Sequence, residues 1–167
     1  MNQANKLDIG PLLKSINQIC TQHLPTLRNS SEKVIFPELI LKKFWDLGSG
    51  GISVSPEFGG TQLPYWQTAE ITKTIANHDL GLAIVVSVHS MCAAIINRSA
   101  NQAQKELWLP QIARGELLCA FALTEPEAGS DAKALKTSFK EDNGDFVLSG
   151  QKCYISSAGF ADLYLVF

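Results

Sequence analysis

The segment Thr124 to Asp131, TEPEAGSD, concentrates the groups that could do chemistry. Thr124 and Ser130 bring hydroxyls. Ala128 and Gly129 keep the turn free of bulk, so its peptide groups can approach a flat or anionic ligand closely. Hydroxyl and N–H donors of this kind suit a ring edge or a phosphate without any charge. The same residues also make an ordinary turn, and the local physics leaves both readings open. Glu125 and Glu127 are the nearest carboxylates. Acid–base work would need them to converge on one point. Two positions apart around Pro126, they read instead as solvated loop carboxylates. Asp131 reads as a cap on the turn that follows.

Other candidates carry less. Ser130 in AGSD lacks the strand–GxSxG–helix setting of an elbow nucleophile. His89 sits in an apolar run with no base partner nearby and reads as a core histidine, while His23 and His78 read as helix-end residues. Cys20, Cys92, Cys119 and Cys153 are widely and irregularly spaced, with no CxxC, so no metal site is expected and the thiols read as small buried apolar groups. Gly50-Gly51 and Gly59-Gly60 do not form GxGxxG, which removes a dinucleotide-binding reading. Trp45, Trp66 and Trp108 read as helix-bundle core.

The chain has 167 residues, 46% hydrophobic and 18% charged, with net charge -2. Such a balance excludes a disordered chain. It also argues against nucleic acid as a partner, since a binding face needs a basic excess. The opening MNQANKLDIGPLL lacks a charged segment followed by an apolar run. Free thiols without that signal fit a reducing, cytoplasmic setting. The most apolar stretch, Leu80 to Ile96, falls short of the ~20 residues of a membrane span. With Ser87, His89 and Ser90 inside it, it reads as a buried helix, and no membrane span is expected.

These residues need a scaffold, and its first two-thirds reads helical. Pro11 suits a first helical position, followed at helical spacing by Leu12, Leu13, Ile16, Ile19 and Cys20, with Pro25 just past the end. A second helix runs from Pro37 through Leu39, Ile40, Leu41, Phe44 and Trp45 to a stop at Gly48. Gly48 to Pro64 is a glycine- and proline-rich loop. Pro64 opens a third helix with Tyr65, Trp66, Ala69 and Ile75 on one side. Asp79 caps the apolar helix, which should be central. Ser99 or Asn101 caps a last helix with Leu107, Trp108 and Ile112, kinked or broken at Pro110 and ended by Gly115. After Gly115 the period changes. LLCAFALTE, DFVLSG, QKCYIS and ADLYLVF read as strands, with turns at Asn143-Gly144 and Gly150. The fold class is therefore α+β: an all-α domain over 1–115, then the first strands of a second domain over 116–167. The strand-like run reaches Phe167, so the β domain is expected to be unfinished, with its strands after Leu117 loosely held.

FALTEPEAGSD followed by GQKCYISSAGFADLYLVF closely resembles the flavin-binding region of the acyl-CoA dehydrogenase family. PEFGG at 56–60, the apolar helix after Asp79 and KELWLPQIARGE agree in order. The resemblance implies an N-terminal helical domain, a β-barrel-like middle domain and a C-terminal bundle, with FAD between the last two. It implies acyl-CoA as substrate, a carboxylate that takes the α-proton, and hydride transfer to flavin N5 that leaves 2-enoyl-CoA. Electrons then pass to an electron-transfer flavoprotein. By position, Phe121, Leu123 and Thr124 match the strand whose backbone contacts the pyrimidine side of the flavin. Ser130 matches a position touching both FAD and acyl-CoA. Tyr154 matches an aromatic on the ring, usually Trp, and Ser156 a hydroxyl facing N5, often Thr; Ile155 lies between them in the cofactor-contact set. The family's catalytic glutamate belongs to the C-terminal bundle, so no catalytic residue is assigned in this chain, and activity of these residues alone is not expected. A homo-oligomer is expected at full length, in the cytoplasm or, in a eukaryote, the mitochondrial matrix. The alternative is a non-catalytic remnant or helical association module. Chain-length preference is not legible.

Overall fold

The computed structural model describes residues 7–29 and 36–167. The first residues of the opening segment read above lie outside that range. Five helices come first: α1 Gly10–Asn29, α2 Glu38–Asp46, α3 Tyr65–Ala76, α4 Leu80–Ser99 and α5 Gln102–Arg114. Four short strands follow: β1 Cys119–Ala122, β2 Ser138–Asp142, β3 Asp145–Ser149 and β4 Leu163–Val166. The fold is thus a helical domain joined to the start of a β domain.

Helix α4 is the axis of the molecule. Asp79 Oδ1 accepts the Leu82 N–H at 2.8 Å and fixes its start. Its first half joins a core with Ile16, Ile40, Phe44, Ile71 and Ile75. Its second half joins another with Val54, Leu109, Ile112 and Cys119. The helix runs 20 residues to Ser99, longer than its apolar stretch suggests, and so reaches the length of a membrane span. Half of it is buried against protein, with His89 and Ser90 inside the core. Leu80, Ile84 and Met91 form an open stripe, so the helix is central on one side only.

Pro25, expected just past a helix, and Pro110, expected to kink or break one, both lie inside helices. Pro25 falls within α1, and Pro110 within an unbroken α5. Each removes one intrahelical donor. Pro25 is exposed, so water can take the carbonyl it frees. For α5, the capping box between Asn101 and Gln104 holds the start, and burial of Leu109 and Ile112 on either side of the proline holds the middle. Gly115 ends α5 at φ 71, where an added Cβ would meet the Trp45 ring at 2.2 Å.

Of the face expected for helix α3 only Ile75 is buried, together with Gln67 and Ile71. Tyr65, Trp66 and Ala69 are exposed. The buried residues repeat every fourth position, and the amide of Gln67 donates to the Leu7 carbonyl at 2.6 Å. Trp66 is therefore not core, while Trp45 and Trp108 pack half-buried against the two cores.

The strands make two pairs. β1 and β4 are parallel, with Phe121 opposite Leu165. β2 and β3 form an antiparallel hairpin, closed by Asn143 and Gly144 at φ 53 and 89. β2 was not expected as a strand: SFKED carries four charged or hydroxyl residues and alternates poorly. QKCYIS, by contrast, is not a strand. Tyr154 at φ 55 and Ser157 at φ 64 turn the chain out of the extended region. β1, expected to be loosely held, has Cys119 and Ala120 fully buried against α4. The exposed hairpin is the part that stands away from the core.

Candidate functional site

The site begins where β1 leaves the core. The Ala122 carbonyl accepts the Phe167 N–H at 3.2 Å, and the rings of Phe121 and Phe167 lie 4.7 Å apart. Beyond Ala122, the carbonyls of the next two residues are taken. Leu123 accepts from Lys152 Nζ at 2.9 Å, and Thr124 accepts the Cys153 N–H at 2.9 Å. Among the described residues, no hydrogen bond engages the N–H of Leu123 or Thr124. One edge of this segment is thus locked to 152–153, and two donors remain for something else.

Glu125 then turns the chain. Its N–H and carbonyl exchange bonds with Ala128 at 2.9 and 3.2 Å. Its side chain is only 6% exposed, against the expectation of a solvated carboxylate. Four donors explain the burial. Oε1 accepts from Lys152 Nζ at 2.8 Å, the Thr137 N–H at 2.9 Å and the Thr137 hydroxyl at 2.5 Å, while Oε2 accepts the Lys136 N–H at 2.7 Å. The Lys152 ammonium first, then Thr137 and Lys136, hold the Glu125 carboxyl down to about 2. Glu127 does behave as expected: it is exposed and pairs with Lys136.

The Cys153–Thr124 bond brings the second stretch against the first. Tyr154 is 94% exposed in a left-handed conformation that a bulky side chain rarely adopts. Ile155 and Ser156 are half-buried. The Ser157 carbonyl accepts from Phe160 and Ala161, and its hydroxyl is buried without a partner. Ser130 is exposed beyond the 125–128 turn and makes no hydrogen bond to Ser156; Asp131 caps the short turn Ala132–Ala134 by accepting the Lys133 N–H at 3.1 Å. No cluster of three metal-ligating side chains occurs among the described residues.

Comparison with known proteins decides the family. The model of the acyl-CoA dehydrogenase N-terminal domain matches residues 11–116, and that of the middle domain matches residues 120–167. The chain belongs to the acyl-CoA dehydrogenase family. It is 32% identical over 152 residues to mitochondrial isobutyryl-CoA dehydrogenase of Bos taurus, across 91% of this chain and 36% of that protein. It is similar to the butyryl-CoA dehydrogenase structure from Megasphaera elsdenii, with a TM-score of 0.86 and 32% identity over 99% of this chain and 45% of that one. A chain in a structure of the electron transferring flavoprotein of Acidaminococcus fermentans matches with a TM-score of 0.88, 27% identity and 99% coverage, spanning 44% of that chain. The chain therefore spans about a third of the length of the curated relative and less than half of the solved ones.

Within this family member, the structure sets Leu123 and Thr124 beside 153–156 and leaves Phe121 one residue inside the β1–β4 pairing. Sequence reasoning missed Lys152, Thr137 and the burial of Glu125. The available signal was Lys152 itself, a lone cation in a stretch otherwise poor in charge.

Proposed function

We propose that this chain supplies the flavin-ring wall of an FAD-dependent acyl-CoA dehydrogenase, which converts an acyl-CoA thioester to 2-enoyl-CoA. The observation that supports the reading is the pair of open N–H donors at Leu123 and Thr124, set beside Tyr154 to Ser156. The donor set fits the ring end of the group: peptide N–H groups and hydroxyls, all neutral, for an edge of ring carbonyls and nitrogens. When bound, FAD supplies the hydride acceptor. Leu123 and Thr124 hold the pyrimidine edge through the main chain, with Phe121 and Ile155 beside it. Tyr154, already turned outward, packs on the ring face, and the Ser156 hydroxyl donates at its reactive edge. Ser130 reaches both the cofactor and the acyl-CoA.

The substrate's apolar part has a partial wall. A groove of about 510 Å³ runs between α3 and α4, lined by Tyr65, Thr68, Ser87, Met91, Ile95 and Arg98. Neither glutamate of the motif is placed to take the α-proton, because Glu125 is locked by four donors and Glu127 lies outside in its pair with Lys136. The base is a C-terminal residue of the longer protein to which such a chain corresponds. An electron-transfer flavoprotein accepts the electrons, and the full protein is a homo-oligomer of the cytoplasm or mitochondrial matrix.

The test mixes the purified chain with FAD, an acyl-CoA series and a redox dye. FAD fluorescence should be quenched on titration, flavin should be lost on gel filtration, and no dye should be reduced. Failure to quench at any FAD concentration would favour a non-catalytic association module; dye reduction would place a base within these residues.

A further inference from the structure

Lys152 occupies an unusual place for a lysine. Its side chain is 12% exposed, at the edge of a cleft of about 320 Å³ between the β1–β4 pair and the hairpin. Its ammonium reaches three acceptors: the Leu123 carbonyl, Glu125 Oε1 and the Phe167 carbonyl. A lysine has three protons to donate, so all three are used. Taking an ammonium out of water is costly unless it is paired and fully hydrogen-bonded. Replacing a buried ion pair by apolar packing is often neutral, so closing the TEPE turn does not by itself call for a lysine. What the lysine adds is direction.

Leu123 is the residue at which that direction matters. Its carbonyl is bound to Lys152, and the carbonyl of the next residue is bound to the neighbour of Lys152, Cys153. The Leu123 carbonyl shares its peptide plane with the Thr124 N–H, so fixing one fixes the other; the Leu123 N–H shares a plane with the Ala122 carbonyl, which is held by the N–H of Phe167, whose own carbonyl Lys152 also binds. The N–H groups of Leu123 and Thr124 are then held in one orientation before any ligand arrives. Glu125 anchors the ammonium, and Thr137 and Lys136 anchor Glu125, so the orientation is referred to the start of β2.

We infer that Lys152 is a positioning residue for cofactor binding, aiming the Leu123 and Thr124 N–H donors at the flavin ring edge through the carbonyls of Phe167 and Leu123, with Glu125 as its anchor. The inference rests on the functional reading above. A donor pair that is already aimed loses less freedom on binding, which raises affinity without a new contact.

The experiment uses isotope-labelled chain as wild type, Lys152→Met, Lys152→Arg and the double variant Lys152→Met/Glu125→Gln. Lumiflavin, which carries only the ring, and FAD serve as probes. Lys152→Met alone leaves the Glu125 charge unanswered and should lower the thermal midpoint. The double variant removes that charge and should regain most of the midpoint, yet its affinity for lumiflavin should stay about tenfold or more below wild type. Its Leu123, Thr124 and Cys153 amide signals should move while those of α1 and α4 do not. Lys152→Arg should restore part of the ring affinity. Recovery of both midpoint and ring affinity in the double variant would make the lysine purely structural and overturn the inference. If wild type binds neither flavin, the functional reading fails, and the amide signals decide the positioning alone: unmoved signals at Leu123 and Thr124 would overturn it, and selective movement would uphold it.

Discussion

His89 Nδ1 accepts the N–H of Cys119 across 3.4 Å, joining the middle of α4 to the first residue of β1. The bond carries the strand that leads into the site onto the central helix. The His89 ring is fully buried, 4.6 Å from the Trp45 ring, with the backbone of Ile112 and Gly50 beside it. An acceptor at Nδ1 requires the neutral ring.

Burial therefore pushes the His89 pKa down from 6.5 to about 4, and the nearby Ile112 and Gly50 backbone offsets this only partly. The folded state binds fewer protons than the unfolded state between those values. The contribution is fully present above pH 6.5 and is lost as pH falls toward 4. We expect about 3 kcal/mol of stability to disappear over that window, at ~1.4 kcal/mol per pH unit. Thermal melts from pH 7 to pH 4 should show the fall, and His89→Gln should flatten it. An unchanged slope in His89→Gln would assign the fall to another group.

Glu125 should act in a lower window. Its carboxyl is held at about 2 against an ordinary 4.5. The depressed value means that its contribution is present above pH 4.5 and is lost as pH falls toward 2. Glu125→Gln should remove the lower limb of the stability curve and leave the His89 limb intact. Denaturant midpoints at pH 5, 4 and 3 for both proteins measure it.

Amide exchange should divide the β segment. β1 should be protected like α4, because Cys119 and Ala120 are sealed in the second core. The hairpin should exchange fast. Phe139 and Phe146 are 69% and 71% exposed with rings 5.9 Å apart, and they present an open apolar edge. Phe139→Thr/Phe146→Thr should lower concentration-dependent association in sedimentation with little change in thermal midpoint. Equal protection of hairpin and α4 in a monomer would contradict this division.

Two hydroxyls are candidates for the reactive edge of the proposed flavin ring. Ser156 is half-buried, and the Ser157 hydroxyl is buried without a partner. Ser156→Ala should weaken flavin binding about fivefold, the worth of one neutral hydrogen bond at ~1 kcal/mol. Ser157→Ala should leave binding unchanged and stability equal or slightly higher, since it removes an unsatisfied buried group. Fluorescence titration of both variants separates them; the reverse ranking would transfer the role to Ser157.

Helix starts were legible because a cap has a short-range signature: Asp79 and Asn101 both close their helices through side-chain bonds. The motif around Thr124 was legible as a resemblance, and family membership bears it out. Other features were hidden for physical reasons. A proline lowers helix stability without forcing an end: Pro25 is exposed to water, and burial of Leu109 and Ile112 carries α5 through Pro110. Tyr65 and Trp66 are apolar in type, but the face of α3 is chosen by what α1 and α4 offer it. Glu125 looked solvated because its donors lie 11 to 27 residues away. QKCYIS has strand-like composition, and the tie from Cys153 to Thr124 bends it into a turn instead.

The most direct test follows the amide signals of the labelled chain as FAD is added. The account predicts shifts confined to 121–124, Ser130 and 154–156, largest at Leu123 and Thr124, with α1 and the hairpin tip unmoved. Shifts centred elsewhere, or none up to millimolar FAD, would contradict it.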